Sequence, residues 1–205
     1  MSEWIDLALF STTFVTLFVI MDPPGTVPIF LALTSTMTAK QRRHAALQAV
    51  LVAGGVIVAF LLFGQALLDF LGISVPALQS SGGLLLLLVA MDLLTGKAEE
   101  PEPSGKVNVA LVPLGTPLLA GPGAIVATML AIESSDGSRA GWVAIMGAVV
   151  AVHVTLFLAM RFAGVIHRVL REGGTILVTR IAGLLLAAIA TQLIADAIKA
   201  FIQTV

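Results

Sequence analysis

The chain contains no cysteine and no tyrosine. The first absence excludes disulfides and thiolate metal sites. Charge is scarce as well: 11% of the 205 residues are Asp, Glu, Lys or Arg, against about 25% in an average soluble domain. With a net charge of −1, nothing suggests a nucleic-acid partner. Histidine occurs three times, at His44, His153 and His167. With no cysteine beside them, these scattered side chains give no nucleophile–base pair or metal cluster, so no enzyme and no bound cofactor is expected. No glycine-rich ATP-binding loop is present. The first residues, Met1-Ser2-Glu3-Trp4-Ile5-Asp6, lack the positive region and small-residue cleavage site of a signal peptide, and are expected to remain in the mature chain.

What the chain has in excess is apolar length. It is 58% hydrophobic, with a mean hydropathy of +1.05. Runs such as 50–68 and 82–94 approach the roughly 20 apolar residues that cross a bilayer as a helix. The alternating segments of about ten residues that mark a membrane β-barrel are not visible. The expected fold class is therefore an all-α membrane protein. Six segments can be drawn, at about 5–37, 45–70, 77–94, 107–132, 141–163 and 176–202. The first is too long for one straight crossing: at about 1.5 Å per residue it would span about 50 Å, against a hydrocarbon core of roughly 30 Å. It is interrupted at Asp22-Pro23-Pro24-Gly25. The fourth carries Pro113, Pro117 and Pro122, with a break at Gly121-Pro122-Gly123.

Between these segments lie polar connections. Residues 97–106 (Lys-Ala-Glu-Glu-Pro-Glu-Pro-Ser-Gly-Lys) read as an exposed linker. It divides the chain into a first unit at 1–96 and a second at 107–205. Residues 133–140 read as a short polar loop, and 167–174 as a basic turn. If the loop after segment one faces the cytoplasm, so do those after segments three and five. That side then holds Lys40, Arg42, Arg43, Lys97, Lys106, Arg161, Arg168, Arg171 and Arg180, and the other side only Arg139 and Lys199. The positive-inside bias places both termini outside the cytoplasm.

Shifted by 98 to 100 positions, the sequence matches itself. Pro24-Gly25 falls on Pro122-Gly123, Gly83-Leu84-Leu85-Leu86 on Gly183-Leu184-Leu185-Leu186, Ala90 on Ala190 and Leu93 on Leu193. Each unit holds three segments, an odd number, so the second must enter the membrane upside down. The expectation is a 3+3 inverted repeat with segments one and four interrupted, a pattern shared by many secondary transporters.

Each break starts a half-helix inside the membrane. The first amides of such a helix carry partial positive charge. Aspartate is a good N-cap and proline is well placed in the first turn. Two such starts meeting from opposite directions form an anion-binding hollow. The candidate substrate-binding residues are Asp22, Pro24, Gly25, Thr26, Gly121, Pro122, Gly123 and Ala124. A small zwitterion fits: its carboxylate on amides near Gly121–Ala124 or Gly25–Thr26, its ammonium facing Asp22. Asp22 is also the candidate ion-coupling group, with H+ first and Na+ second. A plain proline kink is the bland alternative, but a carboxylate within the membrane is expensive and usually functional.

Other polar residues carry less. Thr12, Thr13 and Thr16 on the first half-helix either offer hydroxyls to a site or bond back to their own helix. His153 is more readily a packed residue than a proton relay. Thr191 and Gln192 line a polar path or bond between helices, and Asp92, Asp196 and Lys199 lie near span ends. Trp4 and Trp142 read as interface anchors.

Asp22-Pro23-Pro24-Gly25-Thr26-Val27-Pro28-Ile29-Phe30 resembles the Asp-Pro-x-Gly-x-x-Pro-x-Phe motif of the MarC family. Pro117-Leu118-Leu119-Ala120-Gly121-Pro122-Gly123 is similar to that family's Pro-Leu-x-x-Gly-Pro-Gly motif, and Arg180-Ile181-Ala182-Gly183-Leu184-Leu185-Leu186-Ala187 to its last-helix signature. The resemblance implies a six-span inner-membrane protein of a bacterium or archaeon. It also implies, through the SnatA branch, transport of small neutral amino acids such as glycine and alanine. The expected function is alternating-access transport of such zwitterions, with the lipid bilayer as the other partner and no indication of oligomeric state. The alternative is an exporter or channel for another small metabolite or drug. With 6% aromatic residues and no tyrosine, a large aromatic drug pocket is disfavoured.

Overall fold

The computed structural model describes residues 5–96, 120–135 and 137–204. The linker at 97–106, the first part of segment four with Pro113 and Pro117, and Trp4 lie outside the described residues. Among the described residues there is no strand, and the helices are α1 (Leu7–Met21), α2 (Pro23–Leu33), α3 (Ala39–Leu71), α4 (Val75–Thr95), α5 (Pro122–Glu133), α6 (Arg139–Arg161) and α7 (Ala163–Thr204).

The helix ends are written locally. Asp6 caps α1 by accepting from the Leu9 amide at 2.9 Å. Thr38 and Gln41 form a reciprocal capping box at the start of α3, which satisfies two otherwise orphan donors. Ser74 caps α4, with Pro76 in its first turn. Ser138 accepts from the Gly141 amide at 3.1 Å and opens α6. Gly72 and Gly96, at φ 66° and 72°, stop α3 and α4 in the left-handed conformation that glycine adopts without penalty.

Among the described residues, five stretches are long and apolar enough to cross a membrane: Leu7–Leu31, Ala39–Leu71, Val75–Thr95, Arg139–Arg161 and Ile176–Gln203. Gly123–Glu133 is a shorter apolar helix. Exposed apolar side chains cover their outer faces, for example Leu51, Phe63 and Phe70 on α3 and Leu84 and Leu88 on α4. Such a surface is stable against lipid and not against water. The chain is thus an integral, multi-pass helical membrane protein.

The stretch at 167–174, read as a basic turn, holds a break: two helices meet at a kink at Arg171, which leaves helical geometry at φ 54° and ψ −179°, and the last apolar span, Ile176–Gln203, begins beyond it.

Inside the bundle, α3 buries Ala45, Ala49, Ala53, Ile57 and Leu61 at four-residue spacing, and α6 buries Ala144, Ala148 and Val152. Lipid tails are as apolar as leucine, so helix association in a membrane rests on close packing, and small residues permit it. Larger side chains, among them Leu17, Met21, Val27, Phe30, Leu156 and Met160, fill the cluster around this contact.

The contacts exchange under the 98–100 shift. That shift carries α2 to α5, α3 to α6, and α4 to the last part of α7. Helix α2 packs on α6 and α7, while α5 packs on α3 and α4. The crossing of α4 and α7 is reciprocal in detail. A methyl group added at Gly83 would meet the Ala190 carbonyl at 2.9 Å and Ile194 at 2.7 Å; one added at Gly183 would meet the Ala90 carbonyl at 3.2 Å and Leu93 at 3.1 Å. The two helices therefore run antiparallel, with the glycine of each seated on the backbone of the other.

The two ends of the bundle differ in charge. Arg42 and Arg43 from the start of α3 share a cleft with Arg161 and Arg168 from the α6–α7 junction. At the opposite end the Asp6 amide points to the Ala140 carbonyl at 3.5 Å. Segment one passes between these ends: α1 starts beside Ala140, and α2 leads to Thr34, whose carbonyl accepts from Arg42 Nη2 at 3.2 Å. The last part of α7, antiparallel to α4, ends on the side of the Gly72–Ser74 turn. Both described ends of the chain thus lie away from the basic end.

Candidate functional site

The interruption at Asp22 is one residue long. Asp22 sits in the left-handed region, at φ 39° and ψ 69°, where its amide closes α1 by donating to the Phe18 carbonyl at 3.1 Å. Aspartate tolerates this conformation better than most L-residues. The same residue opens α2. Its Oδ1 accepts from the Gly25 amide at 3.1 Å, and its carbonyl accepts from the Thr26 amide and from Thr26 Oγ1, each at 2.9 Å. Pro23 and Pro24 have no N–H to satisfy. Every donor at the start of α2 is therefore absent or occupied.

This corrects one expectation. A ligand carboxylate cannot take the amides of Gly25 and Thr26, because Asp22 already holds both. Nor does Gly25 leave open space: a side chain there would collide with the Asp22 carboxylate. The glycine is required so that this carboxylate can fold back over the helix start. What remains free is Asp22 Oδ2, which is buried and has no hydrogen-bond partner. An unpaired carboxylate oxygen in a low-dielectric interior is costly unless a cation, an ammonium group or a proton completes it.

The second break is built differently. Gly121 precedes α5 at φ −64° and ψ 162° and caps it with no side chain. Its carbonyl accepts from the Ala124 and Ile125 amides at 3.0 and 3.2 Å. Pro122 opens the helix, so the Gly123 amide is the first donor of the turn. Leu86 of α4 lies directly over Gly123 and fills the space that its missing side chain leaves. Helices α2 and α5 leave their breaks toward opposite ends, α2 toward Arg42 and α5 toward Ser135, which packs against Gly141.

The predicted residues thus fall into two groups. Asp22, Gly25 and Thr26 form one buried turn with Pro24 half-buried at its edge; Gly121, Gly123 and Ala124 form the other, Gly121 half-buried. Both border one apolar cluster that contains Met21, Val27, Phe30, Ala120 and Ala124.

A cavity of about 210 Å³ adjoins the first half-helix. It lies between α1, α5 and α7, and Thr12, Thr13, Thr16, Leu17 and Ser134 contribute to its wall. Leu9 and Ser134 mark its outer end, away from the basic end. Its inner end at Leu17 lies about 7.5 Å along the helix axis from Asp22, at 1.5 Å per residue. Thr12 bonds back to the Ala8 carbonyl at 2.9 Å, as a helical threonine commonly does. Thr13 does not: its hydroxyl is buried and without a partner. The sequence marked the threonines; the contribution of Ser134, Ile189 and Leu193 to the same wall had no local signal.

The remaining polar residues are structural or peripheral. Thr191 bonds back to the Ala187 carbonyl at 2.8 Å. Gln192 donates to Asp196 at 2.8 and 2.9 Å, and Lys199 pairs with Asp196 at 3.5 Å on the exposed face of α7. His153 Nδ1 lies 2.7 Å from the Val149 carbonyl, and its Nε2 packs beneath Gly54. Among the described residues no three His, Asp or Glu side chains come together to hold a metal ion.

Similarity to known proteins agrees with this architecture. The chain is 37% identical over 201 residues to a UPF0056 membrane protein of Methanocaldococcus jannaschii, covering 95% of this chain and 98% of that one. A UPF0056 membrane protein of Aquifex aeolicus is 37% identical over 199 residues, covering 93% and 92%, and one of Escherichia coli is 32% identical over 206 residues, covering 95% and 94%. No solved structure matches the chain. The family model of the MarC family integral membrane proteins matches residues 7–202, and the chain belongs to that family.

Proposed function

We propose that this protein is a secondary transporter that carries small neutral amino acids, glycine and alanine first, across the inner membrane by alternating access. The observation that carries the proposal is Asp22: a buried carboxylate at an intramembrane helix break, one oxygen spent on capping α2 and the other unpaired. A substrate ammonium completes that oxygen. The substrate carboxylate turns to the start of α5, where no side chain competes for the positive end of the helix. Leu86 covers that position here, so binding requires α4 and α5 to move apart. The threonine-walled cavity supplies the route from the non-basic end toward Asp22.

The exchange of contacts under the repeat shift and the reciprocal α4–α7 crossing support a 3+3 inverted repeat, in which one unit rocks against the other about the breaks. The basic end is the cytoplasmic one, which leaves both termini outside. Coupling runs through Asp22, with protons as the first choice and sodium as the second. A drug exporter is disfavoured by composition: with 6% aromatic residues and no tyrosine, the chain offers little to build a large aromatic pocket.

Uptake of labelled glycine into proteoliposomes, under an imposed pH or sodium gradient, tests the proposal. Gradient-driven accumulation, competed by unlabelled alanine, is the expected result. No uptake of either amino acid under either gradient, by protein shown to be folded, would overturn it.

A further inference from the structure

At the basic end, the cleft of about 280 Å³ lies between the start of α3 and the α6–α7 junction. Four arginines line it: Arg42 and Arg43 from α3, Arg161 from the end of α6, and Arg168 from α7. No acidic residue lines it. Arg42 is anchored through the Thr34 carbonyl at 3.2 Å, yet its Nε is buried with no partner. Arg161 is held in place over the Phe162 ring, 5.5 Å from its centroid, a favourable cation–π contact. Helix α3 begins at the cleft, at Ala39, and adds its positive end.

Four like charges lining one cleft give it a positive potential that attracts an anion. Guanidinium groups match phosphate oxygens in forked geometry. We infer that the cleft is a binding site for a phosphate group, and that the phosphate belongs to the headgroup of an anionic phospholipid. The lipid source is favoured over free phosphate by what flanks the arginines. Phe162 and Val165, at 50% and 57% exposure, line the cleft or stand at its rim as bare apolar surface. They suit an acyl chain and serve no purpose for a soluble ion. Basic pockets between membrane helices recognise lipid headgroups by this combination. The bound lipid would tie the start of α3 to the α6–α7 junction, joining the two sequence units at one end of the bundle.

The test is thermal stabilisation of the purified full chain in neutral detergent, titrated with phosphatidylglycerol, with phosphatidylcholine and with inorganic phosphate. The expected result is saturable stabilisation by phosphatidylglycerol and little by the other two. Arg161 and Arg168 are exposed, so R161Q and R168Q leave the packing intact; each is expected to weaken the lipid response about tenfold, the loss of a charge-assisted contact. R180Q, which removes an exposed arginine of α7 outside the cleft, should leave it unchanged. An equal loss in R180Q, or equal responses to the two lipids, would overturn the site. Stabilisation by inorganic phosphate matching that by phosphatidylglycerol would overturn the lipid source.

Discussion

Two substitutions of Asp22 separate its two roles. D22N keeps a side-chain oxygen to accept from the Gly25 amide, which lies 3.1 Å from Oδ1, and asparagine caps helices about as well as aspartate. Asparagine also tolerates the left-handed φ of 39°. Stability should therefore change by no more than about 0.5 kcal/mol. D22A loses the cap, at about 1 kcal/mol, and places an alanine at positive φ, at about 1 kcal/mol more. The combined loss is about 2 kcal/mol, and thermal unfolding in detergent reads it. For transport the order is different. Both variants lack the negative charge, and removing one partner of a buried charge pair costs about 2–5 kcal/mol, or at least a thirtyfold loss of affinity at about 1.4 kcal/mol per tenfold. Glycine binding and uptake should fall to background in both variants, although only D22A is destabilised. Wild-type uptake by D22N at matched reconstitution would show that Asp22 is a capping residue alone, and the charge argument would be refuted.

Further predictions concern the packing, the cavity and the topology. G83A places a methyl group 2.9 Å from the Ala190 carbonyl; overpacking at about 1–3 kcal/mol exceeds the helix propensity gained, about 1 kcal/mol, so the unfolding midpoint should drop. The equivalent G183A meets its neighbours at 3.1 and 3.2 Å and should be close to neutral; equal effects would contradict the closer approach at Gly83. T13V removes a buried hydroxyl without a partner and should leave stability unchanged or raise it by about 1 kcal/mol, while slowing glycine uptake if the cavity is the route; unchanged uptake removes Thr13 from the path. Because the chain has no cysteine, single cysteines report topology without background. S74C should react with an impermeant maleimide in intact cells and G164C only after permeabilisation, and the reverse order would invert the assigned orientation.

Several features were legible residue by residue. The helix caps were not among them: Ser74, Ser138 and Thr38 at helix starts, and Gly72 and Gly96 at helix ends, are identified by the backbone the structure shows. Pro23, Pro24 and Asp22 mark the break because two missing donors and a carboxylate do not fit a continuous apolar helix. The basic stretch at 167–174 marks a kink at Arg171 rather than a long loop, since charge reports where water is and not how many residues leave helical geometry.

The sequence by itself therefore determined the membrane class, the long apolar segments, the two breaks and their relation at a spacing near 98, because all of these depend on local hydrogen-bonding capacity and on apolar length. Only the tertiary structure decided what each polar group is left to do. It folded the Asp22 carboxylate back over Gly25, so that the start of α2 has no donor to offer and only Oδ2 is free. It laid Leu86 over Gly123, walled the threonine cavity with residues from α5 and α7, and brought arginines from distant segments into one cleft. Those outcomes depend on which neighbours arrive across the bundle, and long-range packing chooses them: a local pattern states what a group can bond, while its neighbours determine whether that bond is already made.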